Sequence, residues 1–115
     1  MSDSPLNEDA LLALVDGDSE FLGSLVDTFL RDCSSYLNDI RTAVEEDDAD
    51  ALQQEAHGLK GAAANMQADA AQAAARRLED IGRTGDLARA PDALAQLEEE
   101  VERLEPALKA LVDDA

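Results

Sequence analysis

Residues 52–66, LQQEAHGLKGAAANM, contain the pattern that decides the fold of this chain. Apolar side chains recur there at intervals of three and four, which predicts a helix that buries one face against its neighbours. These residues are Leu52, Ala56, Leu59, Ala63 and Met66. The same stretch holds His57, the only histidine of the chain, and Lys60, one of its two lysines. At about 100° per residue, His57 lies on the order of 140° from the middle of the apolar face, so it is predicted to face solvent with Lys60 one turn away.

The composition predicts an all-α protein. Of the 115 residues, 45% are hydrophobic, mostly alanine and leucine, while aromatic residues make up only 3%. Alanine and leucine favour helices, whereas strands are enriched in β-branched and aromatic side chains. Four long apolar repeats separated by short joints predict an antiparallel up-down four-helix bundle with one or two additional N-terminal helices. We expect one domain over residues 1–115, with a short disordered lead at about 1–5.

Turn-forming and capping residues predict where the first helices begin and end. A short helix is expected from about residue 7 to 15, with Gly17 ending it and Asp18 capping the next helix through its carboxylate. Ser34 and Ser35 interrupt the apolar pattern of that second helix. The pattern leaves open whether the chain breaks at these serines or continues through them.

Two capping boxes are predicted further along the chain. In such a box, an N-cap side chain and a residue three positions later satisfy each other's backbone donors. Asp50 with Gln53 would start the central helix, and Asp69 with Gln72 would start the next one. Gly85 is expected to stop that helix, since glycine readily adopts the left-handed conformation after a last turn.

The charge of the chain excludes two classes of partner. Twenty-seven acidic residues against nine basic ones give a formal net charge of −18, so nucleic acid and anionic membranes would be repelled. Cys33 is the only cysteine and falls on an apolar face, which predicts a core position rather than a disulfide or a metal ligand. The N-terminus lacks the basic and apolar regions of a signal peptide, and no apolar run is long enough to span a membrane. We therefore expect a cytoplasmic protein.

Three kinds of active site do not fit this pattern. A metal centre in a helical bundle needs several inward-facing ligands, but the inner positions are apolar and the one histidine points outward. Hydrolysis by an activated serine is not supported, because no serine lies near His57 in sequence and no third group is evident to orient its ring. A glycine-rich phosphate loop is also missing, so neither ATP binding nor kinase activity is predicted.

The remaining feature is an exposed imidazole next to an ammonium group. Most single surface histidines have no chemical role, but Gly58 and Gly61 each cost about 1 kcal/mol in a helix interior relative to alanine, and Gly61 in particular suggests a close approach. Neutral imidazole is a nucleophile near neutral pH, and a nearby ammonium stabilises a phosphoryl group attached to it. The pattern favours phosphoryl acceptance on His57, with Lys60 stabilising the phosphate.

The residues around His57 resemble the signature of histidine-containing phosphotransfer (Hpt) domains. In that signature the histidine is followed by an apolar residue at plus two, lysine at plus three and glycine at plus four. The matching residues are His57, Leu59, Lys60 and Gly61, followed by Ala63, Asn65 and Ala68. Further resemblance lies in Gly17-Asp18, Phe21-Leu22, Phe29-Leu30, Leu78-Glu79 and Gly85-Asp86, and so covers nearly the whole chain. Gln67 departs from the pattern, because family members commonly have glycine there, and predicts a different turn, for instance one extended toward Asp69.

The resemblance implies that the protein is a phosphorelay intermediate. His57 would accept a phosphoryl group, on Nε2 by analogy with the family, from the aspartyl phosphate of one receiver domain and transfer it to the aspartate of another. The chain itself would need no cofactor, since the receiver supplies the magnesium. The implied partners are receiver (response-regulator) domains and a hybrid sensor histidine kinase, and we expect a monomer.

Receivers are expected to dock on the exposed face around His57 and Lys60. The predicted docking residues are Gln53, Gln54, Gly61 and Ala64, extended by the N-terminal residues Leu11 and Phe21. Two alternatives stay open: a non-catalytic helical adaptor that binds a receiver or kinase without being phosphorylated, and a fragment of a larger hybrid sensor kinase. The intact histidine and lysine favour the relay, and the positions of the first methionine and the last apolar repeat favour a free-standing protein.

Overall fold

The computed structural model describes residues 6–114, and all regular structure among them is helical. The five α-helices are α1 (Glu8–Val15), α2 (Ser19–Glu45), α3 (Ala49–Asn65), α4 (Asp69–Thr84) and α5 (Ala90–Asp114), with a 3₁₀ turn at Leu87–Arg89 before α5. The all-α prediction is confirmed, and one short helix precedes the four longer ones. The predicted disordered lead at residues 1–5 lies outside the described residues.

The boundary between α1 and α2 follows from local side-chain chemistry. Asp18 accepts a hydrogen bond at 3.0 Å from the backbone N–H three residues later, which confirms it as the cap of α2. Helix α1 ends at Val15 as predicted, and the chain leaves it through two left-handed residues, Asp16 at φ 53° and Gly17 at φ 74°. The C-cap is Asp16, one residue before the predicted glycine. Helix α2 then continues without a break through residues 34–35, because its apolar row is buried on both sides of the two serines.

Both predicted capping boxes are wrong. Asp48 caps α3 by accepting a hydrogen bond from the backbone N–H of Ala51 at 3.1 Å, and Asp50 lies in the first turn instead. Helix α4 begins at Asp69 itself, and Ala68 at its N-cap has no side chain that could accept a hydrogen bond. When several acids lie near a helix start, the path of the preceding turn decides which one reaches the free backbone donors.

Gln67 adopts the backbone conformation that favours glycine. It lies between α3 and α4 at φ 58°, in the left-handed region, which costs a residue with a Cβ about 1–2 kcal/mol. Its carbonyl accepts a hydrogen bond from the backbone N–H of Asn7 at 3.0 Å, and this bond ties the start of α1 to the turn. Because α3 ends at Asn65, the predicted extension of the turn toward Asp69 is wrong. Gly85, at φ 79°, ends α4 as predicted.

The four longer helices surround one core. Helix α3 lies against α2 and α4, helix α5 also lies against α2 and α4, and α1 contacts α2. The predicted apolar face of α3 is buried, which confirms the pattern in residues 52–66. The largest fully buried side chains are Leu11, Leu22, Ile40, Leu52, Leu59, Leu78, Leu97, Leu104 and Leu108, with Cys33 among them.

Cys33 has only 1% of its surface exposed, as predicted for a core position. Burial, and then the negative charge of Glu105, raise the pKa of its thiol to about 11. Since the thiolate is the reactive form, we expect Ellman's reagent to leave the native protein unlabelled at mildly alkaline pH and to label it after unfolding in urea. Rapid labelling of the native protein would show that the side chain is accessible.

The raised pKa of Cys33 also makes the free energy of unfolding decrease at alkaline pH. The thiol of Cys33 has a higher pKa in the folded chain than in the unfolded chain, where the thiol has its ordinary pKa of 9.0. Its contribution to the free energy of unfolding is therefore fully present below the ordinary pKa and is lost as the pH rises toward 11.

Candidate functional site

Helix α3 presents His57 to solvent. The side chain is 67% exposed, which confirms the orientation predicted from the helical period. Lys60 lies one turn further along α3 and is 27% exposed, so its aliphatic part is covered while its ammonium group reaches the same surface. The buried apolar row on the opposite side of α3 fixes this orientation, because rotating the helix would expose leucines.

Glu79 of α4 joins His57 to Lys60. Its Oε2 lies 2.6 Å from the Nδ1 of His57, and its Oε1 lies 2.6 Å from the Nζ of Lys60. The Glu79 side chain is only 16% exposed, so the carboxylate lies under the imidazole rather than in free solvent. The sequence prediction that no third group orients His57 is therefore wrong. We call these three residues the His57–Glu79–Lys60 network.

The charge of Glu79 is maintained by its two partners. The hydrogen bond from Lys60 is the largest cause that lowers the pKa of the Glu79 carboxyl below its ordinary value, and the bond from His57 acts in the same direction. Partial burial opposes them by favouring the neutral acid, but the net shift is downward. At neutral pH Glu79 is thus a carboxylate, which can only accept hydrogen bonds.

An anionic Glu79 determines the tautomer of the neutral imidazole. The carboxylate accepts a hydrogen bond from Nδ1 of His57, so the ring proton is assigned to that nitrogen. Nε2 then carries the free lone pair on an exposed ring. The network therefore presents a nucleophilic nitrogen with a fixed ring orientation, which is the arrangement that a buried carboxylate gives to a catalytic histidine elsewhere.

Gly82 allows α4 to approach α3 closely enough for this contact. A Cβ placed on Gly82 would lie 2.6 Å from the backbone nitrogen of Gln53 and 2.9 Å from the carbonyl oxygen of Ala49. Glycine is therefore required for backbone contact between the two helices. Glu79 lies on the same helix, three residues before Gly82, so this contact also sets how far its carboxylate is from α3.

The two glycines beside His57 differ in their surroundings. A Cβ on Gly58 would lie 2.5 Å from the ring of Tyr36, so this glycine makes room for a side chain of α2. A Cβ on Gly61 would meet no atom of the described chain within 4 Å, and the residue is exposed. Packing within the protein thus explains the glycine at 58 and not the glycine at 61.

The predicted docking residues differ in how far the structure exposes them to solvent. Gln54 and Gly61 are exposed, Gln53 and Ala64 are half-buried on α3, and Phe21 at the start of α2 is 48% exposed. Leu11 is the one predicted docking residue that the structure does not place at the surface.

Leu11 is completely buried, so it is removed from the predicted docking surface. Helix α1 turns this leucine toward the core, and its exposed large apolar residues are Leu12 and Leu14 instead. The apolar pattern of this short segment did not distinguish these neighbours, because a helix of two turns has too few positions to locate its buried face.

Comparisons with known proteins agree with the helical fold, and the residues matched by the family model include all three members of the His57–Glu79–Lys60 network. The family model described as the Hpt domain matches residues 24–107. The crystal structure of histidine-containing phosphotransfer protein B (HptB) from Pseudomonas aeruginosa PAO1 is similar over 99% of both chains, with 30% sequence identity and a TM-score of 0.92. No curated protein matches the chain in a sequence comparison. Within residues 6–114, none of the helices is both long and apolar enough to cross a membrane. With a family match over most of its length and a solved relative of the same fold, the chain belongs to the Hpt domain family.

Proposed function

We propose that this protein is a phosphorelay intermediate that carries a phosphoryl group on His57. Proteins of the Hpt family are phosphoryl carriers without kinase activity, and the family assignment supports a histidine phosphotransfer role. The observation that supports His57 most directly is its contact with Glu79, because the contact holds Nδ1 and leaves Nε2 available on an exposed ring. Nε2 is therefore the nitrogen that we propose accepts phosphate.

The proposed step is a reversible displacement at phosphorus. The lone pair of His57 Nε2 attacks the phosphorus of a receiver's aspartyl phosphate, an N–P bond forms, and the P–O bond to the aspartate breaks. The receiver aspartate leaves as a carboxylate, and the ring becomes a positively charged phosphoimidazole that keeps its proton on Nδ1. Glu79 stabilises that positive charge from 2.6 Å. Transfer to a second receiver is the reverse of these bond changes.

Lys60 is proposed to stabilise the phosphoryl group. Its ammonium group has three N–H donors, and the structure uses one of them for Glu79. The remaining donors are available to phosphoryl oxygens once His57 is modified. We propose that this chain needs no cofactor of its own for the step and that the magnesium ion is bound by the receiver.

The finer architecture follows from the order of the contacts. Helices α2 to α5 pack against their neighbours in sequence, and the connections at residues 46–48, 66–68 and 85–89 are short. Short connections between adjacent helices favour alternating directions, so we infer an antiparallel up-down bundle. On this bundle the proposed receiver surface consists of Gln53, Gln54, Gly61 and Ala64 around the network, and we propose that it extends to the exposed Phe21 of α2. Receiver domains and a hybrid sensor histidine kinase are the proposed partners of a monomeric, cytoplasmic protein.

Transfer of radioactive phosphate from a phosphorylated receiver tests the proposal. The wild-type protein should acquire a label that is lost in acid and retained in alkali, the behaviour of phosphohistidine. The variant His57→Gln should acquire none, while its helical circular dichroism stays unchanged because the side chain is exposed.

Two results would contradict the relay. Label that persists in His57→Gln would place the phosphate on another residue. Binding of the receiver without any label on the wild-type protein would support the adaptor instead.

A further inference from the structure

A polar groove of about 340 Å³ lies between α3 and α4, directly beside the His57–Glu79–Lys60 network. We call it the α3–α4 groove. It is lined by Gln53, Lys60, Gln72, Arg76, Glu79, Asp80 and Arg83. Two members of the network, Lys60 and Glu79, form part of its wall, so a molecule that covers His57 from this side also covers the groove.

The α3–α4 groove carries a local excess of positive charge on an acidic protein. Three of the nine basic residues of the chain line it, against two carboxylates, while the whole chain has a net charge of −18. Two of the three cations are already paired: Lys60 with Glu79 at 2.6 Å, and Arg83 with Asp80 at 2.7 Å. Arg76 is the third cation.

Arg76 is exposed and has no salt bridge to any residue in the range 6–114. It lies on α4 one turn before Glu79, on the side of the helix that lines the α3–α4 groove. An arginine is a strong recognition group for carboxylates because its planar guanidinium can donate two parallel hydrogen bonds. The groove therefore offers one uncompensated, fork-shaped donor next to the phosphorylation site.

The expected partner has the complementary charge. On the proposed function, a receiver approaches His57 with an aspartyl phosphate and with the oxygen ligands, carboxylates among them, that hold its magnesium ion. Most of the surface of this acidic chain repels such a partner, and a locally positive groove offsets that repulsion and favours one orientation.

We propose that Arg76 is a docking determinant that binds an acidic side chain of the receiver beside the receiver's phosphorylation site. This inference rests on the proposed function and adds the chemistry by which the partner is recognised. Arg76 acts on the association of the two proteins, and the transfer step itself depends on the His57–Glu79–Lys60 network.

Neighbouring arginines of α4 provide a matched test. Arg76→Gln and Arg77→Gln each remove one positive charge from adjacent exposed positions, but Arg77 lines other grooves, next to Ile81 and Ala74 rather than Lys60. The initial rate of label transfer is measured as a function of receiver concentration. We expect Arg76→Gln to raise the half-saturating receiver concentration about three- to tenfold, with the saturated rate unchanged. Arg77→Gln should stay within about twofold of wild type, and Arg76→Lys should recover part of the loss by restoring the charge.

The salt dependence gives a second readout. Raising the ionic strength should narrow the difference in half-saturating concentration between the wild type and Arg76→Gln, since salt screens the attraction that only the wild type has. Equal effects of Arg76→Gln and Arg77→Gln would overturn the proposal, because net charge alone would then explain them. A lowered saturated rate of Arg76→Gln with an unchanged half-saturating concentration would also overturn the proposal, because Arg76 would then act on the transfer step and not on association. Both results are distinguishable from failure of the relay itself, in which wild-type His57 takes no label.

Discussion

Replacing Gly82 with alanine is expected to lower the free energy of unfolding by about 1–3 kcal/mol, because the new methyl group has no space. The Cβ of an alanine at position 82 would lie 2.6 Å from the backbone nitrogen of Gln53, and backbone atoms cannot move aside as a flexible side chain can. Helix α4 must therefore shift away from α3. The loss is expected although alanine is favoured over glycine in a helix by about 1 kcal/mol. Urea unfolding followed by circular dichroism measures the change.

Gly61→Ala is the matched control for this prediction. It makes the same substitution within a helix, but the added methyl group meets nothing within 4 Å. The free energy of unfolding should therefore rise by about 0.5–1 kcal/mol. A comparable loss of stability in both variants would show that the α3–α4 approach does not require glycine at 82.

The Gly82 variant should also slow phosphotransfer at saturating receiver. A shift of α4 carries Glu79 away from His57 and Lys60, both of which it contacts at 2.6 Å. Activity should thus fall under conditions in which the variant is still folded. Normal transfer by a folded but destabilised protein would separate helix packing from the organisation of the site.

The variant Glu79→Gln is expected to slow phosphotransfer about 10- to 100-fold with little change in fold. An amide has one accepting oxygen and one donating nitrogen, and Lys60 can only donate. The amide oxygen will therefore face Lys60, which turns the NH₂ group toward Nδ1 of His57. That nitrogen must then accept, so the ring proton moves to Nε2 and the proposed nucleophile is lost.

Two measurements check this prediction. The first is the saturated transfer rate, which should fall. The second is the set of ¹⁵N chemical shifts of the neutral His57 ring, which should place its single N–H proton on Nδ1 in the wild type and on Nε2 in Glu79→Gln. Asp80→Asn is the control, because the adjacent carboxylate pairs with Arg83 at 2.7 Å. An unchanged tautomer with an unchanged rate would mean that Glu79 does not orient the ring.

The network should persist throughout the neutral range. Glu79 has its pKa lowered in the folded state, so the ionised carboxylate contributes stability above the ordinary value of 4.5. That contribution is lost as the pH falls below this value and through the lower folded-state pKa. Acid unfolding of Glu79→Gln should therefore show a weaker dependence on pH in this region than that of the wild type.

The sequence by itself determined the all-helical class and the outward face of α3. Both follow from periodicity and composition within one segment, and for residues 52–66 the apolar row is long enough to fix which side is buried. The position of Lys60 one turn after His57 needed no tertiary information either. The resemblance to Hpt domains started from the same short stretch and extended over nearly the whole chain, and the family assignment agrees with it.

Only the tertiary structure decided which residues complete the site. Glu79 is 22 residues from His57, and its contact depends on the rotation and axial offset of α4 relative to α3, which no local pattern encodes. The same holds for Gly82, whose role appears only when the facing backbone is in place. Leu11 and the N-caps were misplaced for a related reason: several neighbouring residues fit the local rule equally well, and packing between helices selects one of them.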